Sequence, residues 1–242
     1  MLIKTNAERL ARRAEKVNTL LRFLWEETYS NTDIFMELLK FKNHAPLSRL
    51  LNSLEKEGFI IRNTFEGVGG KVSLWGITVN GLAEVVSPED KFIPPRFEPS
   101  KLTGWSLQHH LLNQKVRLVL ESQGATGWIN GDRKHFLTEF NVKHRPDGVI
   151  TLANGNRVAI ETERNLKTPR RYQEIMKSHL VARKAEKWQH VYYVLPDEQK
   201  KMALTKIFDG IAFLNFGGRP IAIEQQHRDV FRFFTLDELK AA

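Results

Sequence analysis

The sequence predicts a mixed α/β (α+β) chain in two domains, on three observations. Helical apolar stripes between 7 and 58 are followed by two strands with glycines between them. A proline-rich stretch at 87–104 then interrupts the pattern: three of the nine prolines fall between Pro94 and Pro99, and Pro88 precedes them. Beyond it, strands and helices alternate around one strong hairpin signal, Asn154-Gly155. The predicted division is a domain at 1–87, a linker at 88–104 and a second domain at 105–242.

Composition bounds the rest. Of 242 residues, 41% are hydrophobic and 27% charged, which predicts folded cores and an ordinary soluble protein. No apolar run is as long as a membrane span, so no membrane insertion is expected. The opening residues, MLIKTNAERLARR, lack the apolar core of a signal peptide. The chain has no cysteine, which excludes disulfides and thiolate metal sites and suits a cytoplasmic location. A net charge of +9 favours a polyanionic partner. Residues 1–95 carry 13 Lys+Arg against 12 Asp+Glu, so a net of +8 lies in the remainder.

Taken in order, Leu10, Ala14, Val17, Leu20, Leu21, Leu24 and Trp25 recur at three and four and predict an amphipathic helix. Ser30-Asn31-Thr32 can cap a second, with Ile34, Phe35, Leu38 and Leu39 inward. Pro46 opens a third, Leu47, Leu50, Leu51 and Leu54 form its stripe, and Gly58 ends it. Strands follow at 59–65 and 71–77, with Gly67, Gly69 and Gly70 between them, then a short helix at 78–83. In the second domain a helix is predicted at 107–123, with Leu111, Leu112, Val116, Val119 and Leu120 inward. A strand is predicted at 135–142, ending in Lys143-His144-Arg145, bases that can hold a phosphate. The hairpin comes next, and then a basic helix capped by Thr168 and started by Pro169. Tyr172, Ile175, Met176, Leu180 and Val181 are read as its packed side, with Arg170, Arg171, Lys177, Arg183, Lys184 and Lys187 making it basic. A strand at 190–195, a helix at 197–209, strands at 212–215 and 221–224, and a last strand and half-turn of helix at 231–239 complete the chain.

The hairpin carries the chemistry. Val158, Ile160 and Thr162 alternate with Ala159, Glu161 and Glu163, so a period of two puts both glutamates on one face. The turn at Asn154-Gly155 runs this strand back along the one that begins near Asp147. Asp147, Glu161 and Glu163 are thus expected to converge at one end of a ribbon. Three such carboxylates repel one another unless a divalent cation joins them, and oxygen-only ligands suit Mg²⁺ or Mn²⁺. Glu121, one turn beyond Arg117, is placed to pair with that arginine. His109-His110 is a doublet whose members face about 100° apart on a helix, so one metal does not easily take both.

Three helices followed by a glycine-tipped hairpin resemble a winged helix-turn-helix, whose third helix enters the major groove while the wing touches backbone. On that resemblance Arg49, Asn52, Arg62 and Lys71 contact double-stranded DNA. The second domain resembles the restriction-endonuclease-like (PD-(D/E)xK) fold, a mixed central sheet flanked by helices. In that family an Asp and a Glu on adjacent strands bind the metal, and a Lys two residues after the Glu steers the water. Pro146-Asp147 matches the first element and Glu161 the second, and the resemblance implies a fourth carboxylate from the first helix, here Glu121, but Glu163 stands where the family has lysine. Lys177 is then the first candidate to replace it and to support the phosphate, and Lys143 the other. Lys143, Arg145, Arg170 and Arg171 are expected along the DNA.

The whole order, with Ile160-Glu161-Thr162-Glu163-Arg164 and the Tyr172/Lys177 helix, is similar to the replication-relaxation family. Within it the likeness is to the MobC-type (MOBC) relaxases of mobilisable plasmids. The resemblance covers nearly the whole chain. It implies a relaxase, a site- and strand-specific endonuclease that nicks the origin of transfer, working with an accessory mobilisation protein and a coupling protein. A metal-bound water as nucleophile needs no tyrosine. If the nucleophile is a tyrosine, Tyr29, Tyr172, Tyr192 and Tyr193 are available, and Tyr172 lies nearest the acidic cluster in sequence. The competing expectations are a DNA-binding regulator or replication initiator whose nuclease-like domain no longer cuts, and a protein-interaction module on a DNA-binding head.

Overall fold

Local signals place most of the elements. The computed structural model describes residues 5–67, 70–90 and 92–241, apart from the side chain of Trp105. The described residues form a mixed α/β structure of ten α-helices, two mixed or antiparallel sheets and a two-stranded ribbon. The chain divides into two compact units, Met1–Gln114 and Lys115–Ala242.

In the first unit, α1 (Asn6–Glu27) starts on a capping box in which Thr5 and Glu8 satisfy each other's backbone N–H groups. Its second half is buried through Leu20, Leu21, Leu24 and Trp25. The predicted stripe does not hold at its start: Leu10 and Ala14 are exposed, because the helix extends past the core it packs on. A short strand, β1 (Tyr29–Asn31), was not expected. Asn31 caps α2 (Thr32–Leu38), and α3 (His44–Lys56) buries Leu47, Leu50, Leu51 and Leu54 as the periodicity predicts. Strands β2 (Ile60–Gly67) and β3 (Gly70–Ile77) form an antiparallel hairpin, and β1 pairs with β3 to give the order β1-β3-β2. Gly69, part of the predicted wing tip, lies outside the described residues. Thr78 caps α4 (Val79–Val85).

The proline-rich stretch belongs to this unit. The Phe97 N–H donates to the Ile77 carbonyl at 2.9 Å, and its ring lies over Gly76, where an added Cβ would fall 2.0 Å from it. After a 3₁₀ turn at Pro99–Lys101 comes α5 (Gly104–Ser122). The Gln114 side chain, fully buried, accepts from Ser30 Oγ at 2.6 Å and donates to the Tyr29 carbonyl at 2.7 Å. Those two bonds hold the first turns of α5 to the first unit, so the compact units divide at Gln114 and not at the proline-rich stretch. His110 is held there too, 2.8 Å from the Glu27 carbonyl.

In the second unit a five-stranded sheet has the order β10-β7-β6-β5-β4. Its strands are β4 (Thr126–Asn130), β5 (Gly148–Thr151), β6 (Arg157–Thr162), β7 (His190–Leu195) and β10 (Phe231–Thr235). Strands β4, β5 and β6 run antiparallel in succession, whereas β7 is parallel to β6 and β10 to β7. Gly155, at φ +85°, supplies the positive φ that the turn between β5 and β6 needs. One face of the sheet packs Val149, Ala159, Val191 and Tyr193 with α7 (Pro169–Lys184) and α8 (Glu198–Asp209). The other packs Ile150, Val158, Ile160 and Val194 with Val116, Val119 and Leu120 of α5. A separate ribbon, β8 (Phe213–Phe216) with β9 (Arg219–Ala222), precedes α9 (Gln225–Arg228), and α10 (Leu236–Ala241) follows β10.

One predicted strand is wrong. Residues 135–142 lie mostly in a helix, α6 (Lys134–Phe140), which Asn141 ends in the left-handed conformation. Phe136 and Phe140, four apart, stack at 4.6 Å and are both buried. Between β4 and α6, Gly131 touches the start of the hairpin. Its N–H donates to the Asp147 carbonyl at 2.9 Å, and an added Cβ would fall 1.8 Å from the Pro146 carbonyl oxygen. Backbone cannot yield there as a side-chain tip can. Gly131→Ala is expected to destabilise the second unit by about 3 kcal/mol, the upper end for overpacking. Thermal unfolding checks this, and an unchanged midpoint would contradict it.

Candidate active site

The β5–β6 register brings Asp147 and Glu161 to the same end of neighbouring strands. Gly148 pairs with Ile160, and the Asp147 N–H donates to the Ile160 carbonyl at 2.9 Å. The Asp147 carboxylate then turns to Thr162, accepting from its N–H at 2.7 Å and its hydroxyl at 2.9 Å. Glu161, next to Tyr193 across the parallel β6–β7 pair, lies on the α7 face of the sheet and is 5% exposed.

Two histidines meet Glu161. His144 Nε2, from the segment before β5, stands 2.8 Å from its Oε1, and His179 Nε2, from α7, stands 3.1 Å from the same oxygen. The His144 N–H donates to Ser178 Oγ at 2.9 Å, which fastens that segment to α7. Burial by itself would raise the Glu161 carboxyl. The hydrogen bonds and charge of the two rings outweigh it and hold the group down at about 2. Burial, the largest influence on His179, lowers its pKa; the bond to Glu161 opposes this.

Glu163 follows the end of β6 and is also 5% exposed. It forms an ion pair with Lys167, four residues on. Burial raises its carboxyl, opposed by Lys167. The Tyr172 hydroxyl, fully buried, accepts the Lys167 N–H at 3.1 Å. Burial, with the charges of Glu163 and Glu161, pushes that phenol well above its usual range and keeps it protonated. Its burial and raised pKa favour packing over nucleophilic attack, and Tyr172→Phe is expected to leave any strand cleavage within about threefold of wild type. A loss of cleavage in that variant would restore Tyr172 as nucleophile. Tyr193 is buried as well, its hydroxyl has no hydrogen-bond partner, and burial with the charges of Glu161, Glu163 and Asp147 raises its phenol.

The structure does not gather the four predicted carboxylates into one ligand set. Asp147 is bonded to Thr162, Glu161 to the two histidines and Glu163 to Lys167, while Glu121 accepts from Arg117 at 2.8 Å. Among the described residues, the group of His, Cys, Asp and Glu that brings three ligand atoms within 4.8 Å of one another is His144, Glu161 and His179. An all-carboxylate site for Mg²⁺ or Mn²⁺ does not fit these contacts. Lys177 is not at the cluster either: its ammonium bonds to the Asn215 carbonyl and lies 5.1 Å from the centre of the Phe216 ring. Lys167 is the lysine beside a site carboxylate.

The predicted DNA-contacting residues are exposed. Arg49 and Asn52 lie on the outer side of α3. Arg62 donates to Ser73 Oγ at 3.2 Å, and Lys71 pairs with Glu66 at 2.6 Å. Lys143 lines a cavity of about 350 Å³ with Lys177, Lys187 and Ser178. Arg145 lies 3.4 Å from Asp132, and Arg171 pairs with Glu174 at 3.0 Å next to exposed Arg170.

His179 and Lys167 were missed in the sequence, and His144 was read only as a base for phosphate. His179 continues the stripe of Tyr172, Ile175 and Met176 at i+7, and Lys167 stands at i+4 from Glu163. Comparison of the chain with protein-family models, with curated proteins and with solved structures finds no match.

Proposed function

We propose that this chain is a plasmid mobilisation relaxase, a divalent-cation-dependent DNA endonuclease that nicks one strand at an origin of transfer. The observation that carries the reading is the β5–β6 hairpin. It sets Asp147 and Glu161 at one end of adjacent strands, after antiparallel β4 and before α7 and parallel β7. That order, helix, three antiparallel strands with α6 inserted after the first, helix and parallel strand, supports the restriction-endonuclease-like reading of the second unit. The cavity lined by Lys143, Lys177 and Lys187 offers cationic groups to a phosphodiester backbone. When bound, a divalent cation in such an enzyme supplies a hydroxide near neutral pH and offsets phosphate charge.

The first unit supports duplex recognition. Its α2, α3 and β2–β3 hairpin follow the order of a winged helix, with Arg49 and Asn52 outward on the third helix. Truncating either is expected to cost about 1–3 kcal/mol of specific binding, as for a side chain that reads a base edge. A gel-shift titration against the transfer-origin duplex measures it, and unchanged affinity in the double variant would remove α3 from the interface. The accessory mobilisation protein and the coupling protein belong to the same proposal.

A second reading has its own observation. Glu163 stands where the resembled family has lysine, and Lys167 neutralises it, which favours a DNA-binding regulator or replication initiator with a silent nuclease-like unit. One experiment separates the two. A supercoiled plasmid carrying this protein's transfer origin is incubated with the full chain and, separately, Mg²⁺, Mn²⁺ or Zn²⁺. The relaxase reading predicts open circles with at least one of these cations and none after chelation. Specific binding without open circles under any cation would establish the regulator.

A further inference from the structure

Two imidazoles and one carboxylate meet behind the β5–β6 hairpin. They come from three separate places: the segment before β5, strand β6, and the buried stripe of α7. Both Nε2 atoms point at one oxygen of Glu161, at 2.8 and 3.1 Å. Ions of the zinc class bind imidazole nitrogen and carboxylate oxygen at about 2.0–2.2 Å, which sets neighbouring ligand atoms about 3.0–3.5 Å apart around the ion. The spacing around Glu161 Oε1 is close to that range.

We propose that His144, Glu161 and His179 form a two-histidine, one-carboxylate site for a transition-metal ion of the zinc class, and that Mg²⁺ does not occupy it. The donor set decides the class. Imidazole nitrogen suits zinc and its first-row neighbours, whereas Mg²⁺ takes oxygen ligands and keeps several waters. Three protein ligands leave a further position open, which distinguishes a catalytic site from a closed structural one. The His144 side chain is 16% exposed, so solvent reaches the cluster on that side. The chain neighbours Lys143 and Ser178 line the adjoining cavity of about 350 Å³. As the cofactor of the nuclease this ion rests on the function proposed above, but its binding is measured without DNA.

The test uses the full chain, freed of metal by a chelator and titrated with Co²⁺ while visible absorption is followed. One Co²⁺ per chain is expected, displaced by stoichiometric Zn²⁺ and unaffected by excess Mg²⁺. His144→Ala, at the partly exposed ligand, is expected to weaken Co²⁺ by more than about 100-fold, beyond the loss typical of groups that only orient a ligand. Glu161→Gln should do the same, and far-ultraviolet circular dichroism identifies any variant that fails to fold. The proposal is overturned if the wild type gives no Co²⁺ spectrum, if Mg²⁺ displaces Co²⁺, or if folded His144→Ala binds like wild type. It is also overturned if Asp147→Asn removes binding while His144→Ala does not. A Co²⁺ site on a chain that never nicks would sink the nuclease reading and leave this one standing. Nicking with Mg²⁺ alone and no Co²⁺ spectrum would do the reverse.

Discussion

Asp147→Ala and Glu161→Ala are each expected to abolish nicking of the supercoiled plasmid while binding of the duplex stays within about tenfold, or about 1.4 kcal/mol. The two residues fail for different reasons. Asp147 closes the end of the hairpin through Thr162, so its loss removes the carboxylate that accepts a backbone N–H and a hydroxyl at the end of β6. Glu161 is the anion on which His144 and His179 converge, and its loss leaves the two rings, one of them fully buried, without their shared acceptor. Neither lies in the unit that carries Arg49 and Asn52, which is why recognition should survive. Both variants are run beside wild type in the open-circle assay, with gel shifts on the same preparations. Nicking at the wild-type rate in both would remove the hairpin from the chemistry.

Trp188→Ala carries the largest expected effect on stability, about 3–5 kcal/mol. Trp188 is fully buried between α7 and β7, with its ring 6.0 Å from that of Phe140 and 5.6 Å from that of His179. Truncation therefore opens a cavity and releases one wall of the His179 ring. Its indole N–H has no hydrogen-bond partner, so Trp188→Phe loses no such bond and should cost less than half as much. Denaturant unfolding of the three proteins checks the order. A Trp188→Phe loss equal to that of Trp188→Ala would show that shape, not buried area, governs this part of the core.

Much of this was legible because it is local. The stripe of Leu47, Leu50, Leu51 and Leu54, the Asn154-Gly155 turn and the caps at Asn31 and Thr168 are each written within a few residues. The segment 135–142 was misread because it satisfies two periods. Phe136, Thr138, Phe140 and Val142 alternate like a strand, yet Phe136 and Phe140 also share a helix face, and packing against Trp188 selects the helix. The α7 stripe was misdrawn at its end: Tyr172, Ile175, Met176 and Leu180 pack as read, but Val181 is 52% exposed and His179 takes an inner place. The meeting of His144, Glu161 and His179 joins residues 17 and 18 apart through tertiary packing, which no spacing rule encodes. The division at Gln114 depends on bonds to Tyr29 and Ser30 that span 85 and 84 residues.

The central claim, strand-specific cleavage by this chain, is tested most directly by mapping the break. The open circle formed from the plasmid with its transfer origin is denatured, and its 5′ and 3′ ends are located on each strand at nucleotide resolution. One break, at one phosphodiester of one strand within the origin, is the predicted result. Breaks on both strands, or breaks scattered outside the origin, would contradict it.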